Sequence, residues 1–258
     1  MTDRPTGIAA LRRLITRPVL YLAGLYFTFI QRTYKVGKLE FFVPRDLTDV
    51  PFRGYFPIGR YEKEERKYLV DYLNRDAKVL ELGACLGVVS GLTNSLLKNP
   101  EQHVVVEANP ALIPWIEKNR DHNQGQYKVE HCIITDEPFV TFYLDDIIVL
   151  GSTKRSQGKP VQIPGKRIET LEAEHGFQFD TLVMDIEGGE LDFFESNKDR
   201  LSQFRQVFME VHPFGGMLTQ AEVDRCEELL TQAGLKLSVR DGIFQIWEKV
   251  ESASKVMA

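Results

Sequence analysis

From residue 78 onward the chain alternates short apolar runs with amphipathic ones, and that alternation constrains its fold more than any other feature. Residues 78–82, 103–107, 127–134, 179–185 and 207–211 read as strands. Residues 88–97, 110–119, 191–200 and 219–232 read as helices. Pro110 suits a first helical turn, and Thr219-Gln220-Ala221-Glu222 has the pattern of a capping box. Strands alternating with helices specify a parallel sheet covered on both faces. At the C-terminal end, residues 235–239 and 243–247 flank Asp241-Gly242, a hairpin signal that makes the last strand antiparallel. The expected fold is α/β: a doubly wound, seven-stranded, mostly parallel, Rossmann-like sheet.

The N-terminal stretch is different in kind. Residues 1–35 carry Arg4, Arg12, Arg13 and Arg17, then the apolar run 19–30. That run is about 12 residues, whereas a bilayer span takes about 20. It reads as a helical extension, either packed on the domain edge or lying in a membrane surface through residues 12–30 with its arginines at the headgroups. Residues 36–60 read as a short ribbon. Residues 62–75 read as an amphipathic helix with Leu69, Val70 and Leu73 inward. The expected organisation is an extension (1–35), one catalytic domain (36–250) and a tail (251–258). Residues 139–166 interrupt the alternation and hold Lys154, Arg155, Lys159 and Lys166, with Arg167 just beyond. They read as a solvated loop or as a clamp for an anionic substrate group. A net charge of −5 gives no basic excess for nucleic acid. Cys85, Cys132 and Cys226 are an odd number far apart, which fits reduced thiols and a cytoplasmic location.

The strongest local signal is Val79-Leu80-Glu81-Leu82-Gly83-Ala84-Cys85-Leu86-Gly87, a strand running through a glycine loop into a helix. Ligands of open parallel sheets bind at the carboxyl ends of strands, where this loop lies. A dinucleotide fingerprint would need Gly-x-Gly-x-x-Gly, which is absent. Glu81 beside Gly83 repels phosphate and attracts a cation. S-adenosylmethionine, with its sulfonium and ammonium, is such a ligand. Glu107 ends the next strand, where an acid accepts ribose hydroxyls, and Asn109 follows it. Asp136, after Thr135, ends the third strand and is placed to meet an adenine amino group. The cofactor set is therefore Glu81, Gly83, Cys85, Gly87, Glu107, Asn109, Asp136 and Asp185. A nucleotide-dependent oxidoreductase and a non-catalytic cofactor-binding module are the alternatives.

The acidic-Leu-Gly-Ala-x-x-Gly loop resembles that of FkbM-type S-adenosylmethionine-dependent methyltransferases. So do Asp185-Ile186-Glu187-Gly188-Gly189-Glu190, Glu210-Val211-His212, and Tyr61-Glu62 with Glu65. The resemblance spans residues 36–248. The family usually has Asn where this chain has Cys85. The resemblance implies the class I methyltransferase form of the sheet and O-methylation of a hydroxyl, often on a sugar, glycolipid or polyketide-like product. A sugar or lipid-linked glycan is the expected acceptor, with no nucleic-acid partner.

Methyl transfer from a sulfonium is an in-line displacement, so the protein must mainly align two reactants and exclude water. An aliphatic hydroxyl is a poor nucleophile, and a positioned base adds about 10²–10⁴-fold. His212 is the expected base, held extended before Pro213. Asp185 is expected to orient the acceptor or the cofactor, and Glu187 and Glu210 to bind the acceptor. Asp185, Glu187, Glu210 and His212 also form an oxygen-rich set that suits magnesium, but no metal is called. The remaining histidines, His103, His122, His131 and His175, show no ligand spacing.

Overall fold

The computed structural model describes residues 7–144, 158–213 and 217–250. Helix α1 (Gly7–Tyr26) runs into a π-helical turn (Phe27–Gln31) that Arg32 ends in a left-handed conformation. Strands β1 (Thr33–Val36) and β2 (Leu39–Phe42) form an antiparallel hairpin, so the boundary expected at residue 35/36 falls inside β1. A short helix α2 (Val50–Arg53) follows, capped by Asp49, then α3 (Lys63–Tyr72). The alternating region comprises β3 (Val79–Leu82), α4 (Val88–Leu96), β4 (His103–Val106), α5 (Ile113–His122) and β5 (Lys128–Glu130). It continues through β6 (Ile133–Ile134), β7 (Phe139–Leu144), β8 (Lys159–Lys166), α6 (Ile168–His175) and β9 (Thr181–Met184). It ends with α7 (Glu190–Ser196), a 3₁₀ turn (Lys198–Gln203), β10 (Gln206–Glu210), α8 (Gln220–Gln232), β11 (Leu235–Asp241) and β12 (Phe244–Lys249).

The central sheet has seven strands in the order β11-β12-β10-β9-β3-β4-β5. Strand β12 is antiparallel to both neighbours, and the other pairings are parallel. The hairpin at Asp241-Gly242 and the capping box at Thr219 both form. Every residue of β3, β4 and β9 is buried, as expected where both faces of a sheet are covered. Alternate side chains serve opposite layers. Leu80, Leu82, Leu182 and Met184 pack with Phe193, Leu171 and Leu229 of the helices on one face. Val79 and Val183 pack with Leu69 and Val89 on the other. The chain leaves β3 toward β4 and β5, then returns to β9 on the opposite side. This reversal leaves a crevice above the carboxyl ends of β3 and β9.

Four sequence expectations change. Residues 127–134 break after β5, and Ile133–Ile134 pair with β8 instead. Part of the expected loop at 139–166 is the antiparallel pair β7–β8, while Lys154 and Arg155 lie outside the described residues, as does the tail 251–258. Helix α6 was not foreseen. Val70 is exposed, and only Leu69 and Leu73 face inward.

The extension packs on the domain through two glycines. A Cβ on Gly24 would overlap the Val50 carbonyl, and one on Gly54 would overlap that of Leu20. Thr28 donates to the Gly24 carbonyl at 2.6 Å and accepts from buried Arg53 at 2.8 Å. An aromatic group of Phe27, Tyr34, Phe56 and Tyr61 carries this packing to the start of α3. The outer face is apolar too, with Val19, Leu22, Phe29 and Ile30 exposed. Among the described residues, no helix is long and apolar enough to cross a membrane.

Candidate active site

A cavity of about 480 Å³ opens above the ends of β3, β4 and β9, within the range typical of small-molecule sites. Gly83 forms its floor at φ +85°, where a Cβ would overlap the Asp185 carbonyl oxygen. Glycine is therefore required twice here, for its dihedral and for the close approach of two strand ends. Glu62, Cys85 and Glu187 also line the cavity, and each is a non-glycine residue in the left-handed region (φ 46°, 48° and 49°). Such conformations are uncommon and cluster at functional sites. Asn tolerates this region better than most residues, so Cys85 sits in a backbone conformation that asparagine adopts more readily.

Glu107, at the end of β4, is buried. Its carboxylate accepts from the backbone N–H of Cys85 at 3.0 Å and of Asn109 at 2.7 Å. Burial pushes its pKa up to about 7 against the lowering effect of those N–H groups. Asn109 lines the cavity beside it, its side chain accepting from the Ala111 N–H. Across the cavity stand Ile133 and Ile134, with Val140 and Phe142 of β7 and Phe193 of α7. These apolar walls were not foreseen, although the alternation in residues 139–144 carries a strand signal.

The other end of the cavity is acidic. Asp185 and Glu187 line it, and His212 lies behind them, buried. His212 Nδ1–H donates to Glu190 at 2.8 Å. Its Nε2 lies 3.4 Å from Asp185, 3.7 Å from Glu187 and 3.8 Å from Glu210. Burial alone would lower the His212 pKa, but the hydrogen bond to Glu190 and the surrounding carboxylates raise it to about 9. Burial raises Asp185, and His212 opposes that rise. Burial, reinforced by Asp185, pushes Glu210 up to about 8. Glu65 of α3 is buried near Glu210, and both effects raise its pKa.

Several residues chosen from sequence lie elsewhere. Glu81 points away from the cavity into the layer beneath α4, where it accepts from Ser90 and pairs with buried His103 at 3.1 Å. Residues 79 and 81 share a strand face, so Glu81 follows Val79 rather than the loop. Gly87 is the N-cap of α4, packed near Tyr127 and Ile116 rather than lining the cavity. Asp136 is exposed and pairs with Arg167 at 2.7 Å, while Thr135 and Glu137 line the cavity in its place. His212 is not a wall of the cavity, and the hydrogen bond to Glu190 and the surrounding carboxylates hold its pKa up at about 9.

Comparison with known proteins adds to this geometry. The protein is similar in structure to the ribosomal protein L11 methylase of Lactobacillus delbrueckii subsp. bulgaricus (13% identity, TM-score 0.45, covering 74% of this chain and 80% of that one). It is similar to the precorrin-6y C5,15-methyltransferase of Geobacter metallireducens GS-15 (15%, 0.46, 73% and 88%). It is also similar to the Bacillus cereus O-methyltransferase solved with S-adenosylhomocysteine (10%, 0.44, 90% and 88%). No curated protein matches the chain. The methyltransferase FkbM domain model matches residues 81–237, more than half of the chain. That stretch includes the glycine loop, Glu107, the Asp185–Glu190 turn and His212, so the chain belongs to the FkbM methyltransferase family and is an S-adenosylmethionine-dependent methyltransferase.

Proposed function

We propose that the methyl acceptor is a hydroxyl, on a sugar, a glycolipid or a related natural product. The observation that carries this reading is the cavity itself, which joins a buried carboxylate at Glu107 to the acidic end at Asp185 and Glu187. An alcohol needs its proton removed, and carboxylates poised by burial supply that function.

The cavity suits the cofactor. Its floor at Gly83 admits close backbone approach, and its acidic lining matches a ligand that carries a sulfonium and an ammonium. Glu107 is assigned to the ribose hydroxyls, with Cys85 and Asn109 fixing its carboxylate through their N–H groups. Bound S-adenosylmethionine supplies the activated methyl. Asp185 faces the cavity and is assigned the hydroxyl proton. His212, held by Glu190, is assigned to position that carboxylate from behind. Glu187 and Glu210 are assigned to acceptor hydroxyls.

The exposed apolar face of residues 19–30, with exposed Arg17 and Arg32 at its ends, supports contact with the cytoplasmic surface of a membrane and so a lipid-borne acceptor. The test is incubation with methyl-labelled S-adenosylmethionine and lipid-linked glycan or sugar acceptors, with the product linkage read by NMR. Label on an oxygen, lost in Asp185→Asn, is the expected result. Label on nitrogen or carbon would overturn the hydroxyl assignment.

A further inference from the structure

We propose that Asp185, Glu187 and His212, with Glu210 alongside, hold a hard divalent cation, magnesium or manganese, at the acidic end of the cavity. Ligand atoms of Asp185, Glu187 and His212 lie within 4.8 Å of one another. The Nε2–oxygen separations of 3.4, 3.7 and 3.8 Å are too long for good hydrogen bonds. They suit co-ligands of one ion. At a metal–ligand distance of about 2.1 Å, octahedral neighbours are about 3.0 Å apart and opposite ligands about 4.2 Å.

The surroundings of His212 point the same way. Its Nδ1–H is committed to Glu190, which is fully buried, and this leaves Nε2 directed at the three carboxylates. A metal-binding histidine is typically oriented by such a carboxylate on its other nitrogen. The cluster also contains oxygens without partners. Asp185 Oδ1 and Glu190 Oε2 are buried and accept no hydrogen bond. Glu65 is only 5% exposed, has no hydrogen bond among the described residues, and faces the charges of Glu210, Glu62 and Asp185. Buried polar groups are normally satisfied, so an unpartnered carboxyl among like charges marks a place for positive charge.

Oxygen ligands with a single imidazole favour magnesium or manganese over softer metals. A second grouping, Glu130, Glu174 and His175, makes an informative contrast. There the Lys166 ammonium already sits 2.9 Å and 2.7 Å from the two carboxylates. The cluster at Asp185 has an imidazole, not a lysine, at its centre. A cation beside the cavity would bind an acceptor oxygen and ease loss of its proton. That role rests on the hydroxyl reading above; the ion site does not.

The experiment titrates Mn²⁺ into the full-length chain and follows free Mn²⁺ by electron paramagnetic resonance. Heat is recorded in parallel, and S-adenosylhomocysteine binding is measured on the same samples. One saturable Mn²⁺ per chain, displaced by Mg²⁺, is expected. Asp185→Asn and Glu187→Gln are each expected to weaken it at least tenfold, and Glu190→Gln by about 10–100-fold through His212. Glu130→Gln is expected to leave it unchanged. Circular dichroism of each variant separates lost ligands from lost fold, and Glu187→Gln, at a half-buried turn, is the variant best able to keep the fold. Saturable Mn²⁺ binding that survives both Asp185→Asn and Glu187→Gln would overturn the site. So would a wild-type chain that binds S-adenosylhomocysteine but no Mn²⁺, while leaving the methyltransferase assignment standing. Mn²⁺ binding together with methylation of nitrogen would keep the ion site and remove the hydroxyl reading.

Discussion

Replacing Glu107 with glutamine is expected to make the cofactor-free protein more stable while weakening its grip on the cofactor. The side chain is 7% exposed, and burial lifts its pKa from 4.5 to about 7. An acid whose folded pKa is raised binds protons more readily when native than when unfolded. Its stabilising contribution is full below about pH 4.5 and is lost as pH rises through about 7. Above that, keeping the carboxylate ionised costs about 3 kcal/mol, from 2.5 pKa units at about 1.36 kcal/mol each. Glutamine removes that cost. It keeps one acceptor for the N–H groups of Cys85 and Asn109 and turns an NH₂ toward the other, which gives back about 1–2 kcal/mol. The net gain at pH 8 is about 1–2 kcal/mol, and near pH 4.5 it is replaced by a loss of about 1–2 kcal/mol. A ribose hydroxyl bonded to a charged acceptor gains about 1.5–3 kcal/mol, so S-adenosylhomocysteine affinity should fall about 10–100-fold. Urea unfolding at pH 5 and pH 8, with calorimetric titration of S-adenosylhomocysteine, measures both. If Glu107→Gln is less stable than wild type at pH 8, or differs from it equally at the two pH values, the burial argument is wrong.

Other perturbations separate the remaining roles. Glu81→Gln breaks the buried pair with His103, which should cost about 3–5 kcal/mol; cofactor affinity of the folded fraction should stay near wild type, and a selective loss of affinity would return Glu81 to the site. Gly83→Ala forces a left-handed alanine against the Asp185 carbonyl. Strain of about 1–2 kcal/mol and overpacking of about 1–3 kcal/mol should both appear in its urea midpoint, and a variant as stable as wild type would contradict the packing. His212 is raised from 6.5 to about 9, so in metal-free buffer its contribution, up to about 3 kcal/mol, is present below pH 6.5 and lost as pH rises through about 9. His212→Gln should flatten that part of the stability profile. Leu22→Glu with Ile30→Glu should abolish co-sedimentation with vesicles containing anionic lipid while leaving thermal stability within about 0.5 kcal/mol, because both side chains are exposed; unchanged sedimentation would detach the extension from membrane binding.

The sheet was legible because its period is strong. Strands β3, β4, β9 and β10 are apolar at most positions, broken by Glu81, His103, Thr181, Gln206 and Glu210, and burial on both faces is what tolerates such runs. The end of the sheet was readable from Asp241-Gly242 alone. What escaped lacked a local signature. Helix α6 is only eight residues long, and one of its three acids, Glu172, is buried beside Leu171. The break between β5 and β6 is imposed by pairing with β8, more than 30 residues away in sequence. Val70 sits one position from Leu69, which is enough to rotate it out of the buried face.

The site divides along the same line. Gly83 and Glu107 were readable because each acts through its own strand end and its own backbone. Glu81 and Asp136 carry the expected chemistry at the expected ends, yet the pleat and a surface arginine turn them elsewhere. The setting of His212 has a cause that no spacing contains. Asp185, Glu187, Glu190 and Glu210 come from the end of β9, the turn that follows it, the start of α7 and the end of β10. Each alone is an ordinary carboxylate near a helix or strand terminus. Folding gathers them around one imidazole, and the hydrogen bond to Glu190 together with the neighbouring carboxylates raises the ring's pKa. The imidazole that the sequence offers as a base is set behind the cavity, and Asp185 and Glu187 are the carboxylates that line it.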